Sequence, residues 1–257
     1  MPARIHLRRM GLARALSKMG YCSRAQACDL IRQGRVSLNG MVRRDPEFPA
    51  RILSQETKDD RVEVDSKPIL VAAKVYLLMN KPRGLVTTAS DEKGRQTVYN
   101  LLEATMPWVG PVGRLDKASE GLLLLTNDSE WAARVINPAT HLEKTYHVQI
   151  RGLPRPNLMP ALVRGVKDAD EVLRVKRVGV LRQGSRNAWL EIVLDEGKNR
   201  QIRRLLQLLQ IEVLRLVRVA IGPLHLGDLP KGAVRSLTEV EKAKMDAAVR
   251  KSRFGKD

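Results

Sequence analysis

Residues 113–128 have the sequence GRLDKASEGLLLLTND, in which a glycine-bounded polar loop passes directly into an apolar run. The run at 122–125 carries no charge, which is typical of a strand that is buried on both faces. The loop before it holds one carboxylate, Asp116. A loop at the edge of a buried strand can hold a reacting side chain still while leaving it accessible to a substrate. The spacing alone fits a capping or turn-forming aspartate better than a catalytic one.

The chain is strongly basic. Its 257 residues include 46 Lys and Arg against 28 Asp and Glu, which gives a formal net charge of +18 and a pI near 10.4. Such an excess destabilises a compact chain by self-repulsion and therefore indicates a polyanionic partner. Nucleic acid is the first candidate, and an anionic membrane surface is the second. Hydrophobic residues make up 43% of the chain, which is enough for folded cores.

The location and redox state of the protein follow from what the sequence lacks. No apolar stretch approaches the roughly 20 residues that a membrane-spanning helix needs. The N-terminus has no long apolar core of a secretory signal, although its first 28 residues are basic and acid-free, which leaves organelle targeting open. Cys22 and Cys28 are too few for a disulfide framework, and no nearby Cys or His completes a zinc site. We therefore expect a cytoplasmic protein with reduced thiols and no metal.

Residues 10–64 are predicted to form a small α/β domain. A first helix ends near Gly20, and Ser23 with Gln26 three residues later forms a capping box that begins a second helix. Asn39-Gly40 between alternating apolar and polar residues predicts a β-hairpin. Two helices and a hairpin in so short a segment indicate a compact module with a thin core.

The same module carries many cations and very few acids, which favours phosphate binding over a merely solvated basic face. The candidate RNA contacts here are Arg24, Arg32 and Arg35. The stretch 12–46 resembles the S-four-type RNA-binding domain, a module in which the helix pair and the hairpin lie on structured RNA. The resemblance implies an RNA-binding N-terminal domain.

Residues 74–240 read as a second, larger domain in which strands outnumber helices. The predicted strands lie at 75–79, 145–150 and 188–194, and the predicted helices at 130–135 and around 202–209. Because strands and helices do not alternate regularly, we expect an α+β fold with a largely antiparallel, mixed sheet flanked by helices. Residues 65–73 read as a linker or an entering strand, and residues 241–257 as a basic C-terminal tail.

Four segments of this domain resemble, in order, the pseudouridine synthases of the RsuA/RluB type. They are residues 81–85 (KPRGL), 113–128, 144–146 (KTY) and 196–205 (EGKNRQIRRL). The resemblance extends over about residues 12–240 and includes the N-terminal RNA-binding module. Ser119 stands where Thr is commoner in the family, and Ser129 where Gly often follows Asn-Asp; neither is the reacting group. The family implies a pseudouridine synthase fold and a reaction without cofactor or metal.

The resemblance also assigns roles to individual residues. It implies that Asp116 is the catalytic carboxylate, that Arg203 pairs with it, that Tyr146 stacks on the target base, and that Arg114 fills the space of the flipped base. It further implies RNA-backbone contacts for Lys81, Arg83, Lys198, Arg200 and Arg204. Each residue also has a structural interpretation. Tyr146 fits a core aromatic, Arg203 fits a solvated helix arginine, and surface cations are common in any basic protein.

The sequence therefore predicts an RNA isomerase that converts a uridine of ribosomal RNA to pseudouridine, as a monomer with ribosomal RNA as its partner and no membrane. The Asn199-Arg200-Gln201 form of the last motif is closer to relatives that act on the large subunit. A carboxylate can attack the base or the sugar, or remove a ribose proton, and the sequence does not choose among these routes. The alternative hypothesis is a non-catalytic RNA-binding or ribosome-assembly factor.

Overall fold

The computed structural model describes residues 9–52, 60–89, 91 and 93–254, with side chains up to residue 250. The chain forms two compact units. The first runs to Tyr76 and also includes Glu103–Gly110 and Thr126–Ser129. The second consists of Leu77–Leu102, Pro111–Leu125 and the residues from Glu130 onward. The domain limits drawn from the sequence stay a prediction.

The first unit has the predicted helix pair and hairpin. Its elements are β1 (Met10–Gly11), α1 (Leu12–Lys18), α2 (Arg24–Arg32), β2 (Val36–Leu38), β3 (Met41–Arg43), β4 (Pro49–Ala50), β5 (Val62–Val64) and β6 (Lys67–Pro68). The capping box at the start of α2 is present in full, because Ser23 Oγ accepts from the Gln26 amide and Gln26 Oε1 accepts from the Ser23 amide. The predicted hairpin joins β2 to β3, with Asn39 at φ +54° and Gly40 at φ +81°.

The small sheet of this unit has the strand order β3-β2-β5-β6. Its last strand, β6, lies within the segment 65–73 that reads as a linker or an entering strand. In the structure β6 pairs with β5, so this strand belongs to the N-terminal sheet. Residues from both helices and from β2 and β5 form the core of the unit, and Leu12, Leu16 and Ile31 are fully buried in it.

The second unit contains the remaining elements. They are β7 (Tyr76–Lys81), β8 (Gly110–Val112), β9 (Glu120–Thr126), α3 (Ser129–Ile136), β10 (Lys144–Arg151), α4 (Leu158–Arg164), β11 (Val166–Asp168), β12 (Glu171–Leu173), β13 (Arg177–Gln183), β14 (Asn187–Leu194), α5 (Gln201–Leu208), β15 (Val213–Ile221), β16 (Leu224–His225), β17 (Val234–Ser236) and α6 (Glu239–Phe254). The strands and helices that the sequence predicts for this unit are present, with their ends displaced by at most a few residues.

One large sheet runs through this unit in the order β13-β14-β10-β15-β9-β7-β17, with β16 on β15 and β8 on β9. The contacts of β10 with β14 and β15, of β13 with β14 and of β7 with β17 are antiparallel, whereas β15 and β9 run parallel. The α+β prediction with a largely antiparallel, mixed sheet is therefore confirmed.

The core of this unit lies on one face of β14, β10 and β15. Val148, Leu190 and Leu216 point from the strands toward α4 and α5, and all three are buried. Helix α5 contributes Ile202, Leu205 and Leu206, the apolar spacing that predicts the helix. The neighbouring strand β9 is buried at every position, as its uncharged run predicts.

Residues 241–254 of the segment predicted as a basic tail belong to α6, on which Met245 and Val249 are buried. Trp131 of α3 donates its indole N–H to Asp246 at 2.8 Å, so the helix packs into the second unit. Among the described residues, no helix is both long and apolar enough to cross a membrane.

Candidate active site

The loop that carries Asp116 is held through its backbone. Each of its five consecutive carbonyls, from residue 115 to residue 119, accepts a hydrogen bond from outside the loop. The pairs are Thr87 Oγ1 to Leu115 O at 2.7 Å, Lys81 Nζ to Asp116 O at 3.2 Å and to Ser119 O at 2.9 Å, Gly84 N to Lys117 O at 2.8 Å, and Arg203 Nη2 to Ala118 O at 3.0 Å. The Ser119 amide also donates to Asp116 O, which closes a turn. The loop is the rigid mount that the sequence predicts.

Lys81 is the centre of this support. Its side chain is fully buried, and its ammonium group donates to the carbonyls of Pro82, Asp116 and Ser119. Burial lowers the pKa of Lys81 to about 8, although the charges of Asp116 and Glu120 act in the opposite direction. The prediction that Lys81 contacts RNA phosphates is therefore wrong, because the ammonium group faces the interior and its donors are in use.

The Asp116 side chain is 36% exposed, which leaves the carboxylate accessible from solvent. Its ion pair is with Arg200, at 3.6 Å between Oδ2 and Nη1. The predicted pair with Arg203 is not formed, because the Arg203 guanidinium donates to Ala118 O instead. Arg200 reaches the carboxylate from the left-handed residue, at φ +47°, that precedes α5.

Arg203 nevertheless lies in the electrostatic environment of Asp116. Burial and the charges of Arg200 and Arg83 lower the pKa of Arg203, while the negative charge of Asp116 acts against them. A guanidinium stays protonated at any pH that a protein tolerates, so the shift reports first the burial of Arg203 and then the positive charges beside it. Arg203 Nε is buried without a partner, which leaves one donor of the group unused.

Tyr146 lies on the same sheet as the strand that follows the Asp116 loop. It faces Arg218 across β10 and β15, and Arg218 in turn pairs with Gly121 of β9. Adjacent strands are about 4.8 Å apart, so the backbone of Tyr146 is about 10 Å from that of Gly121. The ring is partly buried and packs against the core. Its role as a stacking platform stays a prediction.

Gly121 makes the parallel contact of β9 with β15 possible. Its φ is +99°, and a Cβ at this position would lie 2.3 Å from the carbonyl oxygen of Arg218. Only glycine combines this conformation with so close a backbone approach. This close contact fixes the position of β9 relative to β15, the strand that faces Tyr146. It therefore also fixes the loop that precedes β9.

Two cations beside Tyr146, the buried Arg218 and the partly buried Lys144, were given no role by the sequence. Arg218 is only 6% exposed; it donates Nε to Leu122 O at 2.8 Å, and its buried Nη2 has no partner. Burial and the charge of Arg218 lower the pKa of Lys144, with Asp195 acting in the opposite direction. Arginine inside an apolar strand pattern is the only sequence feature that marks Arg218.

Glu120 was also missed. It stands directly after the loop, its side chain is 3% exposed, and both of its oxygens are bound. Arg215 donates to both oxygens at 3.1 Å, and Lys231 pairs with Oε2 at 2.6 Å. Burial would raise the pKa of Glu120, but these hydrogen bonds hold it below its usual range. The group is thus an ionised, structural carboxylate rather than a second acid or base.

Two predicted RNA contacts are used within the protein. Arg204 donates to Asp168 and Glu171, and Lys198 Nζ donates to Val172 O and pairs with Glu171. Their positive charges are therefore largely neutralised on the β11–β12 hairpin, and a role in holding that hairpin explains them better than phosphate binding. The motif residue Gln201 joins the same region through Arg174 O and Glu196.

The remaining predicted contacts are on the surface. Arg83 and Arg114 are exposed in the second unit, and both precede the loop in sequence. In the first unit Arg24 is exposed, Arg32 lies 4.0 Å from Asp29, and Arg35 forms a two-pronged ion pair with Asp65. These positions are compatible with RNA contact, which stays a prediction.

The arrangement is one exposed carboxylate on a rigid loop, surrounded by guanidinium groups and followed across the sheet by an aromatic ring. Residues 75–208 match the model of the RNA pseudouridylate synthase family. The chain belongs to this family. Residues 10–52 match the S4 domain. The protein is thus an RNA pseudouridine synthase, an isomerase, with an N-terminal S4 domain.

Relatives share this organisation along nearly their whole length. The pseudouridine synthase is 32% identical to the ribosomal large subunit pseudouridine synthase B of Bacillus subtilis (strain 168), over 92% of this chain and 95% of the relative. It is 36% identical to an RNA pseudouridine synthase of Aquifex aeolicus (strain VF5), over 91% and 92%. A solved pseudouridylate synthase superposes with a TM-score of 0.61 at 27% identity, covering 92% of this chain and 99% of the other.

Proposed function

We propose that this pseudouridine synthase isomerises a uridine of large-subunit ribosomal RNA, with Asp116 as the catalytic carboxylate and without a cofactor. The observation that carries the proposal is the Asp116 side chain itself. It is accessible, it is paired only loosely with Arg200, and its loop is held by hydrogen bonds at five carbonyls. A catalytic nucleophile or base requires a backbone that is held in place and a side chain that the substrate can reach.

The overall reaction breaks the bond from N1 of uracil to C1′ of ribose and forms a bond from C5 to C1′. The hydrogen of C5 leaves as a proton, and N1 gains one, so no electrons are exchanged with a cofactor. Asp116 acts on the nucleoside as nucleophile or base. Arg200 pairs with this carboxylate at 3.6 Å.

The other site residues bind and position the nucleotide in this proposal. Tyr146 stacks on the uracil, a contact worth about 1–3 kcal/mol that tolerates rotation of the base. Arg114, exposed two residues before Asp116, enters the space left in the RNA when the base is flipped, which lowers the cost of extrusion. Arg83 contacts the RNA backbone.

The substrate assignment has two supports. The relative from Bacillus subtilis is named for the large ribosomal subunit, and the Asn199-Arg200-Gln201 motif resembles relatives with that substrate. The S4 domain supplies a second RNA-binding surface through Arg24, Arg32 and Arg35. We place the reaction in the cytoplasm. The free thiols of Cys22 and Cys28 are compatible with that compartment, and burial raises the pKa of Cys22 to about 11.

The proposal is tested with unmodified ribosomal RNA that carries tritium at C5 of its uridines. The wild-type protein should release tritium from large-subunit RNA and not from small-subunit RNA. In a deletion strain, one carbodiimide-dependent reverse-transcription stop should disappear from large-subunit RNA. Release from small-subunit RNA alone, or a deletion strain that keeps every large-subunit stop, would refute the substrate assignment.

A further inference from the structure

One face of the sheet is solvated at β10, β14 and β15. Most residues there that point away from α4 and α5 are partly or fully exposed, with Val193 as a buried exception, while most of their neighbours in sequence are buried. An antiparallel sheet with one solvated face normally presents scattered polar residues there. Here one row of residues across neighbouring strands combines an indole ring with arginine and glutamine side chains.

The row crosses four strands in register. Arg182 of β13 faces Trp189 of β14, Trp189 faces Gln149 of β10, and Gln149 faces Arg215 of β15. We call this set the Trp189 row. The guanidinium carbons of Arg182 and Arg215 lie 5.1 and 5.5 Å from the centre of the indole ring, within cation–π range. With strands about 4.8 Å apart, the row is about 14 Å long.

The Trp189 row carries positive charge, and part of this charge is not paired with a carboxylate. Arg215 is neutralised by Glu120, as described above, but Arg182 is exposed and has no carboxylate within 4.0 Å in the part of the chain that the structure describes. The same holds for the exposed Arg186, in the turn between β13 and β14. The partly exposed carboxylates on this face include Glu191, which lies 3.6 Å from His147, and Glu212, which is bound by Arg151.

We propose that the Trp189 row binds an unpaired strand of the substrate RNA, at a distance from the target uridine. The inference rests on the proposed function for the identity of the RNA. Trp189 offers an indole face for a base, Gln149 offers an amide for a base edge, and Arg182 and Arg186 offer charge for phosphates. Base stacking on an aromatic side chain combined with backbone neutralisation is the usual mode of single-strand binding.

The chemistry favours an unpaired strand over a duplex. A double-stranded RNA is recognised by its shape and its backbone and offers no free base to an aromatic ring on a flat sheet. Unpaired bases stack on aromatic rings and guanidinium planes that a sheet presents in a row. The row lies on the face opposite to Tyr146 and Arg218, because residues that alternate along β10 and β15 point to opposite sides. It therefore adds RNA contacts without occupying the catalytic site.

The proposal is tested with four variants of the full chain and unmodified large-subunit ribosomal RNA. In W189A the Kd should rise about fivefold or more, which corresponds to the lower limit of base–aromatic stacking. W189F keeps a ring and should restore most of the affinity. R182A should reduce the slope of log Kobs against log salt by about 0.7, the value for one phosphate contact of a single strand. The matched control R164A removes an exposed arginine of α4, on the other side of the sheet.

The kcat at saturating RNA should equal the wild-type value in all four variants, and thermal unfolding should show that each is folded. An unchanged Kd in W189A, or equal losses of RNA affinity in R182A and R164A, would overturn the proposal. A wild-type protein that binds the RNA but releases no tritium would refute the proposed function and leave the Trp189 row to be judged by its Kd values alone. The Kd values are measured in parallel with small-subunit RNA. If W189A weakens binding of small-subunit RNA only, the surface is right and the assigned substrate is wrong.

Discussion

Replacing Lys81 by Met should impair catalysis far more than folding. Methionine fills a similar volume but donates no hydrogen bond, so the carbonyls of Pro82, Asp116 and Ser119 lose the ammonium group that joins them. The loop then keeps its other hydrogen bonds, from Thr87 and Arg203 among others, but not its central one. We expect the chain to fold and the Asp116 carboxylate to lose its fixed position.

Two energies nearly cancel in this substitution. Three hydrogen bonds to a charged donor, at about 1.5 kcal/mol each, amount to about 4.5 kcal/mol of lost stabilisation. Burial lowers the pKa of Lys81 from 10.5 to about 8, and that shift corresponds to a cost of about 3 kcal/mol for the charge, a cost that methionine removes. The net loss is about 1–2 kcal/mol, or a fall in Tm of about 2–8 °C. A displacement of about 1 Å at the carboxylate can nevertheless lower the rate about 100-fold.

The assay is tritium release under saturating RNA, with Tm and RNA Kd measured on the same preparations. The matched control is K117M, which removes an exposed lysine of the same loop and should leave kcat unchanged. If K81M kept the kcat of K117M, the buried ammonium group would have no part in positioning Asp116. A large fall in Tm together with a normal kcat would contradict the energy balance as well.

Three further predictions concern single contacts. Gly121→Ala places a Cβ 2.3 Å from Arg218 O at a φ of +99° and should lower the free energy of unfolding by at least about 2 kcal/mol in urea; a neutral effect would contradict the close strand contact. Arg204→Ala should lower the free energy of unfolding only slightly, because its ion pairs are partly exposed, while the RNA Kd stays constant; a higher Kd would place the residue at the RNA interface. Because Lys81 has a pKa of about 8 folded and near 10.5 unfolded, the unfolded chain binds more protons in this interval, so the unfolding free energy of wild type relative to K81M should rise from pH 8 to pH 10.5; a constant difference would exclude a buried, titrating amine.

Features that depend on neighbouring residues in the chain were predictable from the sequence. The capping box of Ser23 and Gln26, the hairpin at Asn39-Gly40 and the buried strand β9 all follow from local spacing. The α+β class was predictable for the same reason, since it depends on the order of locally defined elements. The loop position of Asp116 likewise required only the glycines and the apolar run beside it.

Features that depend on contacts across the fold were not predictable. Lys81 and Ser119 are far apart in sequence, and only the folded chain shows that the lysine faces the loop rather than the RNA. The structure pairs Asp116 with Arg200 rather than with the predicted Arg203. Arg200 adopts a left-handed conformation directly before α5, and hydrophobic periodicity does not encode such a conformation. The Trp189 row and the burial of Arg218 depend on strand register, which is set by pairing partners distant in the chain.

The most direct test of the account is the activity of Asp116→Asn on tritium-labelled large-subunit ribosomal RNA. The amide has the size of the carboxylate but is neither a base nor a nucleophile of comparable strength. The account predicts that tritium release falls below detection while Tm stays near the wild-type value and the RNA Kd does not rise. Tritium release by D116N at the wild-type rate would contradict it.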